Sequence, residues 1–140
     1  MSSHPTSPRL ECARCGYNET FKQPLAICPH CGGDWIDATY DYEKAARLWE
    51  QELHDRPFDL WRYRDLLPLL DQSHRVTMGE GGTPLLRAAN LEMMLGCSHL
   101  YVKDERQGPT GSFKDRQASL SISVMKHFDI TEAVVASTGN

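Results

Sequence analysis

The sequence predicts an α/β protein built in two parts, a small cysteine knuckle followed by the start of a parallel-sheet domain. Three observations carry that expectation. Cysteines 12, 15, 28 and 31 form two C-x2-C pairs separated by twelve residues. Tyr42, Ala45, Ala46, Trp49 and Leu53 recur on one face at helical spacing. Residues 100–137 then read as strand, helix and strand.

Composition sets the outer bounds. The chain has 140 residues, of which 40% are hydrophobic and 24% charged. That is the make-up of one folded domain, with room for a small extra module. No stretch approaches the ~18 apolar residues that a membrane span needs. Residues 1–10, MSSHPTSPRL, lack the apolar core of a secretory signal and read as a frayed tail. The net charge of −4 comes without any basic block, which argues against a nucleic-acid partner. Without a signal peptide, a disulfide framework is the poorer reading of the five cysteines, and the cytoplasm is the expected compartment.

Residues 11–37 are rich in Cys, Gly and Pro and too short to hold a core of their own. Zinc takes four thiolates in a tetrahedron, and each C-x2-C turn offers two from one knuckle. Gly16 and Gly32-Gly33 follow the pairs, which suits tight turns whose amides face the sulfurs. The segment is therefore read as a zinc-ribbon-like module in which Cys12, Cys15, Cys28 and Cys31 bind structural Zn2+. A thiol–disulfide site at Cys28-Pro29-His30-Cys31 is the alternative, but Gly32-Gly33 opposes the helix that such a site needs next. His30 is expected to face solvent, and Cys97 to be a small buried residue.

Residues 38–72 carry five basic and eight acidic residues and read as a helical linker and docking segment. Asp41 can cap the helix start, and Pro57 stops it soon after Asp55. The run FDLWRYRDLLPLL, residues 58–70, is apolar enough to pack on a neighbour.

In residues 73–140, Asn90 is placed to cap a short helix, LEMML, that Gly96 closes. Leu100–Lys103 reads as a strand, Ser112 to about Phe128 as a helix, and Ala133–Ser137 as a second, apolar strand. Ser112 and Asp115 have the spacing of a capping box. Strand, crossover helix and strand predict a parallel pair with a right-handed connection. The loop 106–111 and residues 138–140 then share the edge of the sheet where ligands bind. Lys114 falls in the first turn of the crossover helix. The helix N-terminus carries partial positive charge and Arg116 adds more, in a setting where Schiff-base chemistry would require a neutral amine. A solvated surface lysine is the bland alternative. GPTGSFK, residues 108–114, does not meet G-x4-G-K-[ST], so a nucleoside-triphosphate loop is rejected.

These segments resemble the threonine synthase family within the fold type II, tryptophan synthase beta-like, enzymes that use pyridoxal 5'-phosphate. The resemblance runs from the four-cysteine knuckle through WRYRDLLP (61–68), GEGGTPL (79–85), VKDE (102–105) and PTGSFKDR (109–116) to ASTGN (136–140). PTGSFKDR followed at this distance by STGN is highly specific. By that resemblance, Lys114 holds the cofactor as a Schiff base and later moves substrate protons, while Phe113 supports the cofactor ring. Asn140 resembles the residue that hydrogen-bonds the cofactor 3-oxygen, and Ser137, Thr138 and Gly139 resemble the loop receiving the substrate carboxylate. GEGGTPL, with Thr83, looks like a loop that helps bind the phosphorylated substrate; a Gly-rich turn before an edge strand is its plain alternative. The family usually has Asn where Gly108 stands and Gly where Gln117 stands.

The resemblance implies conversion of O-phospho-L-homoserine and water to L-threonine and phosphate, by an enzyme that is a homodimer at full length. Another fold type II activity, such as a cysteate synthase or a threonine dehydratase-like deaminase, is the alternative enzyme. A zinc-knuckle binding module without catalysis is the alternative from another class. Two parallel strands and one helix cannot cover both faces of a parallel sheet. The chain is therefore expected to be the N-terminal fragment of a longer enzyme and to be inactive alone.

Overall fold

The computed structural model describes residues 5, 6 and 8–136. It is a mixed α/β structure with two small antiparallel sheets. In the first sheet, β1 (Arg9–Cys12) lies between β2 (Asn18–Thr20) and β3 (Ile36–Thr39). Leu10 sits opposite Glu19 on one side and Ala38 on the other. The sheet begins inside the segment read as a tail. Thr6 is buried, its hydroxyl donates to the Asp65 carbonyl, and its own carbonyl accepts from Asp41 N at 3.2 Å. Residues 6 and 8–10 are thus tied into the fold.

Helix α1 (Tyr42–Glu52) starts where expected, with the Asp41 carboxylate accepting from Lys44 N at 2.8 Å. It ends three residues early, passing into a 3-10 turn at Leu53–Asp55 before Pro57. Its apolar face is narrower than the spacing suggested. Ala45 is buried, whereas Tyr42 and Ala46 face solvent. Polar contacts do much of the docking. Trp49 Nε1 donates to Asp65 Oδ2 at 2.9 Å, and the Arg56 guanidinium bridges Asp65 and Glu52. Asp65 and Arg56 are both buried, so each relies on the other to offset its desolvation.

The run after Pro57 folds as a kinked 3-10 segment, Leu60–Leu66, rather than a regular helix. It supplies the hydrophobic core. Leu60, Trp61 and Leu69 are buried, with Leu67, Leu120 and Val124 packed against them. The linker therefore docks directly onto the long C-terminal helix.

The second sheet pairs β4 (Leu85–Arg87) with β5 (Tyr101–Lys103) antiparallel, Leu86 opposite Val102. Between them lies α2 (Ala89–Leu95), closed by Gly96 at φ 63° as expected. Ala88 occupies its N-cap position, so Asn90 falls inside the first turn. Cys97 is exposed rather than buried.

Helix α3 (Lys114–His127) lies where a helix was expected but starts two residues later, at Lys114, and does not connect two parallel strands among the described residues. The capping box does not form. Asp115 turns instead to Thr110, whose amide donates to it at 2.9 Å and whose hydroxyl donates as well. The parallel partner strand is also absent among the described residues. Residues 131–136 have no regular structure, and Val134 and Val135 are 100% and 88% exposed. A central parallel strand needs cover on both faces. β5 pairs with the nearer β4 instead, because a short connection makes an antiparallel partner available locally.

Candidate functional site

The cysteine cluster forms from two matching knuckles. Gly16 N donates to Cys12 O and Gly32 N to Cys28 O, both at 2.9 Å. Gly16 and Gly32 adopt φ of 71° and 70°. No atom would obstruct a side chain at either site, so it is the backbone conformation that favours glycine. The turns bring all four sulfurs within 4.8 Å of one another. Cys12 Sγ and Cys31 Sγ are 3.7 Å apart, and Cys15 Sγ and Cys28 Sγ 3.8 Å. A tetrahedral zinc with Zn–S of ~2.3 Å needs sulfurs ~3.8 Å apart.

The ionisation chemistry fits a cation as well. Burial works against the Cys12 thiolate, but the Cys15 and Arg14 amides and neighbouring sulfurs outweigh it and bring the thiol down to about 7. The Tyr17 amide favours the Cys15 thiolate, yet burial and the three other sulfurs push that thiol up to about 12. Four sulfurs this close cannot all ionise without a cation among them. His30 is exposed and stacks on Tyr17, with ring centroids 6.2 Å apart.

Helix α3 carries the second candidate site, and its two faces differ. Residues two apart on a helix point about 200° apart, so Lys114 and Arg116 face opposite ways. On the Arg116 side, Ser119 and Ser123 are buried. Ser119 Oγ donates to Glu80 Oε1 at 2.6 Å, and Val76 N donates to Ser123 Oγ at 2.8 Å. On the other side, Lys114, Gln117, Ala118, Ser121, Ile122 and Met125 line a cleft of about 630 Å³, which residues 133–136 bound. Their spacing is that of one continuous helix face. Among the described residues, the cleft is mainly apolar and carries one cation, Lys114, at the N-terminal end of the helix. A flat aromatic ring with an aldehyde would meet an apolar wall and an amine here, so these residues fit pyridoxal phosphate.

Phe113, beside Lys114, is 58% exposed. Ser112 Oγ accepts from Lys114 N at 3.3 Å and helps fix the start of the helix. Ser137, Thr138, Gly139 and Asn140 lie outside the described residues.

Arg116 does not direct its charge toward Lys114. Its Nε donates to Glu105 Oε2 at 2.8 Å, and one Nη donates to Glu105 Oε1 at 3.0 Å. Thr83 Oγ1 donates to the same carboxylate at 2.6 Å. Arg116 first, and then Thr83, hold the Glu105 carboxyl down to about 2. Thr83 is 4% exposed, and its hydroxyl belongs to this network rather than to the Lys114 cleft. A second cavity of about 330 Å³ opens beside it, lined by Phe58, Arg62, Tyr63, Lys103 and the Arg116–Glu105 pair among others.

The glycine-rich loop ahead of Thr83 is fastened by Glu80, a residue to which sequence reasoning gave no role. This carboxylate is 1% exposed and accepts four hydrogen bonds. Besides Ser119, the donors are Trp61 Nε1 at 2.9 Å, Thr77 Oγ1 at 2.9 Å and Met78 N at 2.8 Å. Burial alone would raise its pKa, but Ser119 and the other donors more than compensate and hold it below the usual range. Gly81 and Gly82 press against the backbone of residues 58–60. A Cβ on Gly82 would lie 2.1 Å from the Phe58 carbonyl oxygen.

A family profile described as pyridoxal-phosphate dependent enzyme matches residues 76–140, which hold Glu80, Thr83, Glu105, Lys114 and Arg116. Those residues, just under half of the chain, are similar to that family. It is 40% identical over 130 residues to the threonine synthase of Methanocaldococcus jannaschii, covering 92% of this chain and 32% of that protein. It is 34% identical over 131 residues to the threonine synthase of Methanosarcina acetivorans, covering 94% of this chain and 31% of that protein. With the Mycobacterium tuberculosis threonine synthase it shares 44% identity over 78 residues, 56% of this chain and 21% of that protein. The chain thus spans about a third of the length of the first two relatives. No solved structure matches it. Among the described residues, no helix is long and apolar enough to cross a membrane.

Proposed function

We propose that this chain is the N-terminal part of a threonine synthase, which converts O-phospho-L-homoserine and water to L-threonine and phosphate. The observation that carries the reading is Lys114, set by its PTGSFKDR motif at the first residue of α3 and lining an apolar cleft. The family profile and the threonine synthase relatives support it. When bound, pyridoxal phosphate supplies an electron sink that makes proton removal from an amino acid feasible.

The chain's own residues would then divide the work. Lys114 holds the cofactor, and its amine takes and returns protons at Cα and Cβ of the substrate. Phe113 would support the cofactor ring. Asn140 would bind the ring oxygen, and Ser137, Thr138 and Gly139 would receive the substrate carboxylate. Thr83 acts indirectly, by holding Glu105 and through it Arg116. Cys12, Cys15, Cys28 and Cys31 bind Zn2+ with no open coordination position, so the metal is structural. The reading places the protein in the cytoplasm, where its thiols stay reduced.

Two experiments test it. The complete enzyme containing this chain is incubated separately with O-phosphohomoserine and O-phosphoserine, and the products are identified. Threonine from the first substrate supports the assignment. Cysteate from O-phosphoserine and sulfite, or a 2-oxo acid from either substrate, would move it to a different fold type II activity. Borohydride reduction of the cofactor-loaded enzyme should place a phosphopyridoxyl group on Lys114. A label elsewhere would refute the site.

A further inference from the structure

We propose that His74 and His127 form a second metal site, distinct from the cysteine cluster, which takes an exchangeable divalent transition ion. The two imidazoles approach with their Nδ1 atoms 3.3 Å apart and their rings 76° from coplanar. Two nitrogens bound to one metal at ~2.1 Å with an angle near 100° lie ~3.2 Å apart, so the pair already has the separation of cis ligands. Without a metal, this contact can hold only one proton between the two nitrogens.

An acidic side chain stands beside His74. Asp71 Oδ2 is 3.8 Å from His74 Nδ1, where it places negative charge beside the pair without belonging to the ligand set. Its other oxygen, Oδ1, accepts from Ser73 N at 2.9 Å, which fixes the carboxylate in the turn. His74 and Asp71 are 32% and 49% exposed, so the ion would keep water in its remaining positions and exchange with solvent. Two imidazoles suit nickel, copper or zinc rather than calcium or magnesium.

The two histidines come from parts of the chain 53 residues apart. His74 ends the 3-10 turn Gln72–His74, and His127 is the last residue of α3. Phe128 packs edge-on against His127 and also against Phe21 of the cysteine module. A metal here would staple the linker to the far end of the helix whose first residue is Lys114.

The test is a nickel(II) titration of the full chain with its cysteines first saturated by zinc, followed by calorimetry and absorbance. We expect one equivalent to bind without a thiolate charge-transfer band and with a rise in melting temperature. Affinity should fall roughly 100-fold or more in His74→Gln and His127→Gln, since losing a ligand exceeds the 10–100-fold loss typical of outer-sphere changes. Asp71→Asn should weaken binding less than either. Circular dichroism of the metal-free variants separates a lost ligand from a lost fold. If a histidine variant does not fold, His74→Cys, which supplies a replacement donor and should bring in a thiolate band, serves in its place. The proposal is overturned by no saturable binding, by binding that both histidine variants retain, or by a thiolate band in the unsubstituted chain that is lost with Cys12→Ser.

Discussion

Glu80→Gln tests the joint between the glycine-rich loop and the helix that carries Lys114. The wild-type carboxylate receives two donors on each oxygen: Trp61 and Ser119 on Oε1, Thr77 and Met78 on Oε2. An amide keeps only one acceptor oxygen, and its NH2 must face one hydroxyl, which can turn to accept, and one N–H, which cannot. One charge-assisted bond, worth about 1.5–3 kcal/mol, is lost outright, and the other three lose their charge and fall toward the ~1 kcal/mol of a neutral bond. Part of that loss is offset because a neutral amide is easier to bury than a carboxylate. A net destabilisation of about 2–4 kcal/mol follows. For a domain of this size that is a fall of roughly 6–12 °C in melting temperature. Urea denaturation followed by Trp fluorescence would measure it. A double-mutant cycle with Ser119→Ala should return a coupling of about 1 kcal/mol or more, because the two groups touch. A loss below about 0.5 kcal/mol for Glu80→Gln, the range of an ordinary surface substitution, would refute the idea that this carboxylate ties the loop to α3.

Replacing Cys12 and Cys31 by Ser should remove bound zinc and unfold the first sheet, because structural zinc supplies on the order of 10–16 kcal/mol of apparent binding energy in small knuckles; metal analysis and circular dichroism check both outcomes. Gly82→Ala should destabilise the chain by about 3 kcal/mol or more, since its φ of 59° disfavours a side chain and the Phe58 carbonyl blocks one; chemical denaturation reads the loss. The Glu105 carboxyl is held low in the folded state, so its contribution is present above the unfolded carboxylate value and disappears as pH falls toward about 2. In a pH series, Arg116→Met should flatten that acid limb; an unchanged limb would show that the ion pair does not set it.

Much of this architecture could be read from the chain itself, for physical reasons that differ by element. The cysteine knuckles were legible because metal ligation imposes a spacing and a glycine conformation that both appear in the sequence. Asp41 and Gly96 were legible because caps act on local backbone. Lys114 was reached through its motif and its place at a helix start. What failed depended on partners distant in sequence. AVVAS has the composition of a buried strand, yet a strand exists only with a neighbour, and β5 takes β4. Ser112 and Asp115 have cap spacing, but the Thr110 amide and hydroxyl compete successfully for the carboxylate. Glu80 looked like one charged residue in a glycine-rich turn, since its four donors come from three separate stretches of chain. Arg116 was expected to act on Lys114, and only the helix geometry shows that it turns to Glu105 instead.

The opposed faces of α3 separate what can vary from what must be kept. The Arg116 side is bound by Glu80, Glu105 and the Trp61 core, while the Lys114 side meets the cleft. Changes at Gln117, Ser121 or Ile122 can therefore reshape the cleft wall without disturbing the contacts that hold the helix. A single helix so arranged behaves like a fixed spine with an interchangeable front, on which the shape of the cleft can change by substitution on one side alone.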